Sequence, residues 1–411
     1  MRPRFHFTAE SGWINDPHGI TWRDGRYHLF YQYVPGSQVW APNCHWGHAT
    51  STDMFAFEHL PVALAPGDGD DGIWTGSLVT DEAGNSTIFY TSVVQPGIGI
   101  GRVRSATPVD DGWVEWRKGA VVAGPPAGLD IVAYRDPFVF RDGERWRMFL
   151  GAGLADGTAT ALSYTSADLA AWEYEGIAAQ RSTSETRPVW TGALWECPQL
   201  FELDGRHVIV SSVWDDDVLH HVAYGIGSYQ DGKFSAETWG RLSYGGSYYA
   251  PSFFRDAEGR PSLTFWLRHV EDADAGWASA HSVPHTLTLE GDTLVATPHD
   301  GLLSYRGTPS NTGEVDGLAA DAVWSGGSRL EIRSGDAAVA TLTLDDATLT
   351  LAVGTESWEM PHDGSTVRVI LDGPALEVST SAGVMAAPIA PAGRSVALSG
   401  DGELLVYSLT R

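Results

Sequence analysis

Hydrophobic residues in this chain come in short runs, each set off by a turn. Asp24-Gly25 precedes Arg26-Tyr27-His28-Leu29-Phe30-Tyr31, and the same turn-then-strand pattern returns at Ala83-Gly84, Asp142-Gly143, Asp204-Gly205 and Glu258-Gly259. Glycine accepts the positive φ of a tight hairpin turn, and the runs behind it are rich in strand formers. The glycines at 25, 84, 143, 205 and 259 are spaced by roughly 54–62 residues, a near-regular period that marks a repeat architecture. A second element keeps step. Ser51-Thr52-Asp53-Met54 with Phe57 resembles Ser166-Ala167-Asp168-Leu169 with Trp172, and Ser105-Ala106-Thr107 with Trp113 is a weaker copy. Each unit then holds at least two hairpins, or about four strands, and four-stranded units repeated radially build a β-propeller. Five copies predict an all-β, five-bladed β-propeller over residues 1–304; a β-sandwich would not repeat at this length.

The pattern changes in the tail. Thr341-Leu342-Thr343-Leu344 and Thr348-Leu349-Thr350-Leu351-Ala352-Val353 alternate with period two, while Val367–Leu371 and Leu404–Tyr407 are looser strand candidates. Gly, Asp and Ser turns between them predict a C-terminal β-sandwich over 305–411, with Gly307-Thr308-Pro309-Ser310-Asn311 as the linker. No segment has the length and period of a long helix.

Composition narrows the partners. A net charge of −26 argues against nucleic acid and anionic membrane surfaces, which need clustered Lys and Arg. With only Cys44 and Cys197 there is no disulfide framework. No run approaches the roughly 20 apolar residues of a membrane span. The first residues carry no signal-peptide pattern, so the chain is expected in the cytoplasm, or secreted if a leader preceded it. The 17 Trp and 47 Gly suit strands, tight turns and a site with flat apolar walls, although most aromatics serve cores. The partner expected is a small carbohydrate.

Three acids carry the candidate chemistry, each just ahead of a proline: Asp16-Pro17, Asp136-Pro137, and Glu196-Cys197-Pro198. Proline removes a backbone donor and biases the preceding residue toward extended backbone, so such acids are expected at strand ends or rims. All three lie seven to nine residues before a repeat glycine. Equivalent positions on innermost strands converge on a propeller axis. Three converging acids suit sugar chemistry: one attacks, one moves a proton, one holds hydroxyls. Cys197 reads as a packing thiol rather than a nucleophile, since no histidine pairs with it. Asp215-Asp216-Asp217 with His220-His221 lacks metal-ligand spacing, and Asp68-Gly69-Asp70-Asp71-Gly72 reads as a turn. Neither a metal nor a cofactor is implied.

Trp13-Ile14-Asn15-Asp16-Pro17-His18-Gly19 resembles the Trp-Met-Asn-Asp-Pro-Asn-Gly motif of glycoside hydrolase family 32, the invertases, levanases and inulinases. Tyr27–Tyr33, His45-Trp46-Gly47-His48-Ala49, Arg135-Asp136-Pro137 and Glu196-Cys197-Pro198 match further family runs in order. The resemblance implies the propeller-plus-sandwich fold and assigns roles. Asp16 would be the nucleophile at the anomeric carbon of a fructofuranosyl unit, Glu196 the acid and base, and Asp136 the binder of fructose hydroxyls. Arg135 would pair with carboxylates, Asn15 and Gln32 would bond sugar hydroxyls, and Trp40 and Trp74 would wall the pocket, with Thr75 and Tyr249 completing the substrate-binding set. Departures from the family pattern fall at His18, Trp74-Thr75 and Ser247, where substrate is gripped. The expected activity is retaining release of terminal β-D-fructofuranosyl units from sucrose, fructooligosaccharides or short fructans. The alternatives are fructosyl transfer, levan or difructose-anhydride activity on the same scaffold, an inverting arabinose- or xylose-specific five-bladed glycosidase, and an inactive carbohydrate-binding propeller.

Overall fold

Each of the five repeat glycines sits in a turn joining two antiparallel strands. The lead strands are Gly12–Arg23, Gly72–Thr80, Ile131–Asp142, Leu194–Leu203 and Tyr248–Arg255, and each pairs with the strand that follows its turn. At Asp24-Gly25 and Asp204-Gly205 both residues have positive φ, the backbone of the two-residue hairpin turn that matches strand twist. The computed structural model describes Met1–Arg411, with 34 strands and a single 3₁₀ turn, Asp300–Tyr305. No helix is long and apolar enough to cross a membrane.

Residues 72–123, 131–182 and 194–241 each form a four-stranded sheet in simple chain order. Residues 12–64 add four more strands, joined to those of 248–298 in one nine-stranded sheet. The join is parallel: Gly12 pairs with Trp277, and Trp13 with Ala278. Neighbouring groups share apolar clusters. Phe30 and Trp46 pack with Ile88 and Tyr90, Phe89 with Tyr134 and Met148, and Phe149 with Trp195 and Ile209. Val208 and Tyr224 then pack with Tyr248 and Phe265, and Phe254 returns to Tyr27 and Leu29. The echoing Ser-x-Asp elements are turns of one kind. Ser51 Oγ accepts from the Met54 N–H at 2.8 Å and Ser166 Oγ from that of Leu169 at 2.9 Å, with Met54 and Leu169 both at positive φ.

Every lead strand is interrupted by at least one bulge or irregularity, and the first and third carry a second, between His18 and Thr21 and between Ile131 and Ala133. Asn15-Asp16 lies opposite Gln32 alone, Asp136-Pro137 opposite Leu150, Cys197-Pro198 opposite Ser211, and Ala250-Pro251 opposite Phe265. The second lead strand slips at Thr75, between Trp74 and Gly76. A bulge leaves a residue out of the ladder and bends the strand, so proline's missing N–H costs little there.

The period-two runs of the tail are strands Ala337–Leu344 and Thr348–Val353, paired antiparallel, with Leu342, Leu349 and Leu351 fully buried. A seven-stranded and a six-stranded sheet share one core of 22 buried residues, among them Trp324, Leu330 and Val369. Two expectations fail. The predicted linker is strand Arg306–Ser310, paired with Glu403–Leu409 at a sheet edge, the position where Pro309 loses no ladder bond. Nor is Asp68–Gly72 only a turn. Asp70 is buried, 2.9 Å from Arg104 and 3.0 Å from Lys118, and accepts from the Tyr90 hydroxyl at 2.9 Å.

The tail is bolted to the rest through His6. Its Nδ1 lies 3.0 Å from Asp372 and its Nε2 3.0 Å from Glu377, all three side chains being buried. Asp372 also accepts the backbone N–H groups of Arg4, Phe5 and His6, while Glu377 accepts that of Val283. Two carboxylate acceptors require both ring nitrogens to donate, so the ring is an imidazolium. Burial alone would lower its pKa, but Glu377 and Asp372 outweigh it and raise it to about 9. Burial would raise the pKa of Asp372 and Glu377, but His6 holds both below the usual range. His6→Ala leaves two buried carboxylates uncompensated and is expected to cost about 3–5 kcal/mol in urea unfolding at neutral pH. A raised histidine stabilises fully below its unfolded value and ceases to as pH rises through the folded one. Wild-type stability should therefore fall as pH rises toward and through about 9, and this alkaline limb should flatten in the variant.

Candidate active site

The bulges aim the acids. Side chains alternate faces along a regular strand, but two residues opposing one re-aim the chain locally. Asp136 has φ of 65° and Cys197 of 51°, although each precedes a proline. The expected extended backbone at strand ends is thus corrected: the acids lie within strands, at or beside bulges, and the ladder on either side holds two of these pre-proline residues in left-handed backbone. The Asp136 N–H donates to Thr91 Oγ1 at 2.8 Å, fixing the unusual turn.

The three acids converge. The Cys197 N–H donates to Asp136 Oδ2 at 3.0 Å, and Cys197 Sγ stands 3.7 Å from both Asp16 Oδ2 and Asp136 Oδ2. Asp16 Oδ2 accepts from Thr75 Oγ1 at 2.6 Å and Gln32 Nε2 at 3.1 Å, while Oδ1 accepts from Asn15 Nδ2 at 3.1 Å. Gln32 also donates to Thr75. Arg135 donates to Glu196 Oε1 through Nε at 3.0 Å and Nη2 at 2.8 Å. The Tyr249 hydroxyl donates to Glu196 Oε2 at 2.7 Å, its ring facing the Arg268 guanidinium at 4.9 Å. Asp16 and Glu196 are partly exposed, whereas Asp136, Asn15, Gln32, Thr75, Arg135 and Tyr249 are buried.

Trp74 is buried and donates to the Pro42 carbonyl at 2.9 Å; Trp40 is 44% exposed and meets it edge-on at 5.8 Å. Of the departures, His18 is buried against Trp46 at 3.9 Å with neither ring nitrogen bonded. It lines a cavity of about 50 Å³ together with Asp136, Cys197 and Gln199. Ser247 is buried, and its carbonyl accepts the Arg268 N–H at 3.0 Å.

Charge crowding sets the electrostatics. Burial, joined by the charge of Glu196, raises Asp16 to about 6 against the hydrogen bonds from Thr75, Asn15 and Cys197. Burial likewise raises Asp136, Arg135 opposes, and Glu196 and Asp16 add to the rise. Burial and the three neighbouring carboxylates push the Cys197 thiol well up, so it stays protonated. It is buried among Tyr249, Ala250 and Trp266, as a packing thiol is, and its sulfur also touches two carboxylates. Period-two reasoning puts Cys197 on the face opposite Glu196, and only the bulge brings both to one site. The Tyr249 hydroxyl, expected to contact substrate, is bonded to Glu196. Asp216 and Asp217 form an exposed turn between strands, and no group of three His, Cys, Asp or Glu side chains is arranged to hold a metal ion.

Known proteins share this arrangement of chain. Residues 6–298 match the model of the glycosyl hydrolases family 32 N-terminal domain. The sucrose-6-phosphate hydrolase of Escherichia coli is 32% identical over 315 residues, covering 72% of this chain and 64% of that protein. The levanase of Bacillus subtilis is 35% identical over 344 residues, covering 75% and 48%. The chain spans less than two thirds of the length of such curated relatives. Among solved structures, the β-fructofuranosidase of Bombyx mori aligns over 100% of this chain and 94% of its own with a TM-score of 0.86 at 25% identity. The chain belongs to glycoside hydrolase family 32.

Proposed function

We propose that the chain is a retaining β-fructofuranosidase releasing terminal fructose from sucrose, fructooligosaccharides or short fructans. On this reading residues 1–304 form a five-bladed propeller, one blade per lead strand, and 305–411 a β-sandwich. The ring of shared clusters and the core common to the two tail sheets support it. The observation that carries the activity is the convergence of Asp16, Asp136 and Glu196 around Cys197 and Arg135.

Asp16 Oδ2 accepts two hydrogen bonds, from Thr75 and Gln32, and Oδ1 only one, from Asn15, so the less engaged Oδ1 attacks C2 of the fructosyl unit. The bond from C2 to the leaving oxygen breaks, and Glu196 gives that oxygen a proton. Burial and the neighbouring carboxylates raise the pKa of Asp16 and of Asp136, so these acids bind protons more readily than free carboxylates do. Water then attacks C2 of the fructosyl–Asp16 ester, Glu196 takes its proton, and Asp16 leaves ionised. Asp136 Oδ2 is held by the Cys197 N–H, which leaves Oδ1 for fructose hydroxyls. Asn15 and Gln32 supply further polar contacts, and Trp40 and Trp74 wall the opening. Arg135 and Tyr249 hold the two oxygens of Glu196.

Purified protein incubated with sucrose, kestose, inulin and levan should release free fructose from at least one; release from none would overturn the assignment. On the working substrate, Asp16→Ala and Glu196→Ala should each lower kcat by about 10²–10⁴-fold. Asp16 must be ionised to attack, so kcat/KM should fall as pH drops below about 6. A raised carboxylate stabilises in its protonated form and ceases to as pH rises. Asp16→Asn should therefore be inactive yet more stable than wild type by about 1–3 kcal/mol near pH 8. That gap, read by urea unfolding, should narrow as pH falls through about 6 toward 3.8.

A further inference from the structure

Behind Asp16 stands a histidine that substrate does not reach. His281 ends strand Trp277–His281 and is fully buried. Its Nε2 lies 2.7 Å from the backbone carbonyl oxygen of Asn15. The acceptor is a carbonyl, so this nitrogen carries the hydrogen. Phe7 packs on the ring at 5.3 Å and Tyr31 at 6.1 Å, and the backbone N–H of His281 donates to the Phe7 carbonyl at 2.8 Å. Burial pushes the imidazole down to about 3, so the ring is neutral wherever Asp16 is ionised.

Asn15 and Asp16 are the two bulge residues opposite Gln32. A bulge disrupts the local ladder, so other groups must fix the orientation of its peptides. The Asn15 carbonyl and the Asp16 nitrogen belong to one planar peptide unit. Gripping that carbonyl sets the plane from which the Asp16 side chain departs. His281 Nδ1 has no partner, a cost that an apolar side chain of similar size would avoid. The imidazole thus contributes a single directed hydrogen bond, aimed at the peptide that carries Asp16.

We propose that His281 is a positioning residue for Asp16, its Nε2–H holding the Asn15–Asp16 peptide so that the carboxylate faces the opening. The inference rests on Asp16 being the nucleophile. It calls for His281→Leu, which removes the donor, and His281→Gln, whose amide N–H can reach the same carbonyl. With sucrose, or whichever substrate wild type cleaves, the Leu variant should lose about 10–100-fold in kcat with KM within about twofold. The Gln variant should recover to within about threefold of wild type. A Leu variant with wild-type kcat, or a folded Gln variant no better than Leu, overturns the proposal. Imidazole ¹⁵N–¹H spectra of the wild-type protein provide a readout that needs neither variant nor substrate. A neutral Nε2–H tautomer throughout the active pH range is expected, and a Nδ1–H tautomer or a charged ring overturns the proposal. A crystal structure of the Leu variant should show the Asp16 carboxylate turned off Thr75 Oγ1; an unmoved carboxylate also overturns it. If wild type cleaves nothing, the hydrolase reading fails, while the spectra and the crystal structure still decide whether His281 sets the Asp16 peptide.

Discussion

A β-strand assigns its side chains alternately to two faces, and this site depends on breaking that assignment within the lead strands. Two residues opposing one at Asn15-Asp16, Asp136-Pro137 and Cys197-Pro198 re-aim the chain where acids must meet. Pro137 and Pro198 fit because they are already out of the ladder, whereas Pro17 follows its bulge and pairs with Tyr31. The left-handed backbone at Asp136 and Cys197 is held by ladder bonds on either side and by Thr91, so local strain is maintained by the sheets around it.

Once the acids are together, the problem is charge. Arg135 faces Glu196, hydroxyl and amide donors face Asp16, and a backbone N–H faces Asp136. None of these removes the crowding, which is why burial and neighbouring carboxylates raise both aspartates. The site gives up stability for reactivity, a common trade in active sites. The opposite arrangement holds at Asp70 and at the His6 cluster, where each buried carboxylate has a cation beside it and its pKa is lowered.

Much of this was legible in the sequence because it rests on local chemistry. Turn glycines need positive φ, so their period revealed the repeating strand pairs. Acids at one phase of that period pointed to convergence. What escaped were features set by partners distant in sequence. Cys197 packs as expected, but alternation puts it opposite Glu196, and no local rule reveals the bulge that sets its sulfur beside Asp16 and Asp136. The bond from the Tyr249 hydroxyl to Glu196, an acid on another sheet, was likewise not visible locally. Gly307–Asn311 read as a linker because Gly and Pro break strands, but the segment lies at a sheet edge, where Pro is tolerated. Asp70 looked like a turn residue because its cations lie more than thirty positions away.

The bolt at His6 joins groups more than 360 residues apart. Phe7, next in the chain, bridges to His281, which in turn grips the peptide of Asp16. During synthesis the strand bearing Asp16 emerges more than 350 residues before Asp372 and Glu377, the partners of His6. Closing so long a loop is slow and costly in chain entropy. A nascent chain that has not reached Asp372 and Glu377 therefore carries His6, and Phe7 beside it, without those anchors.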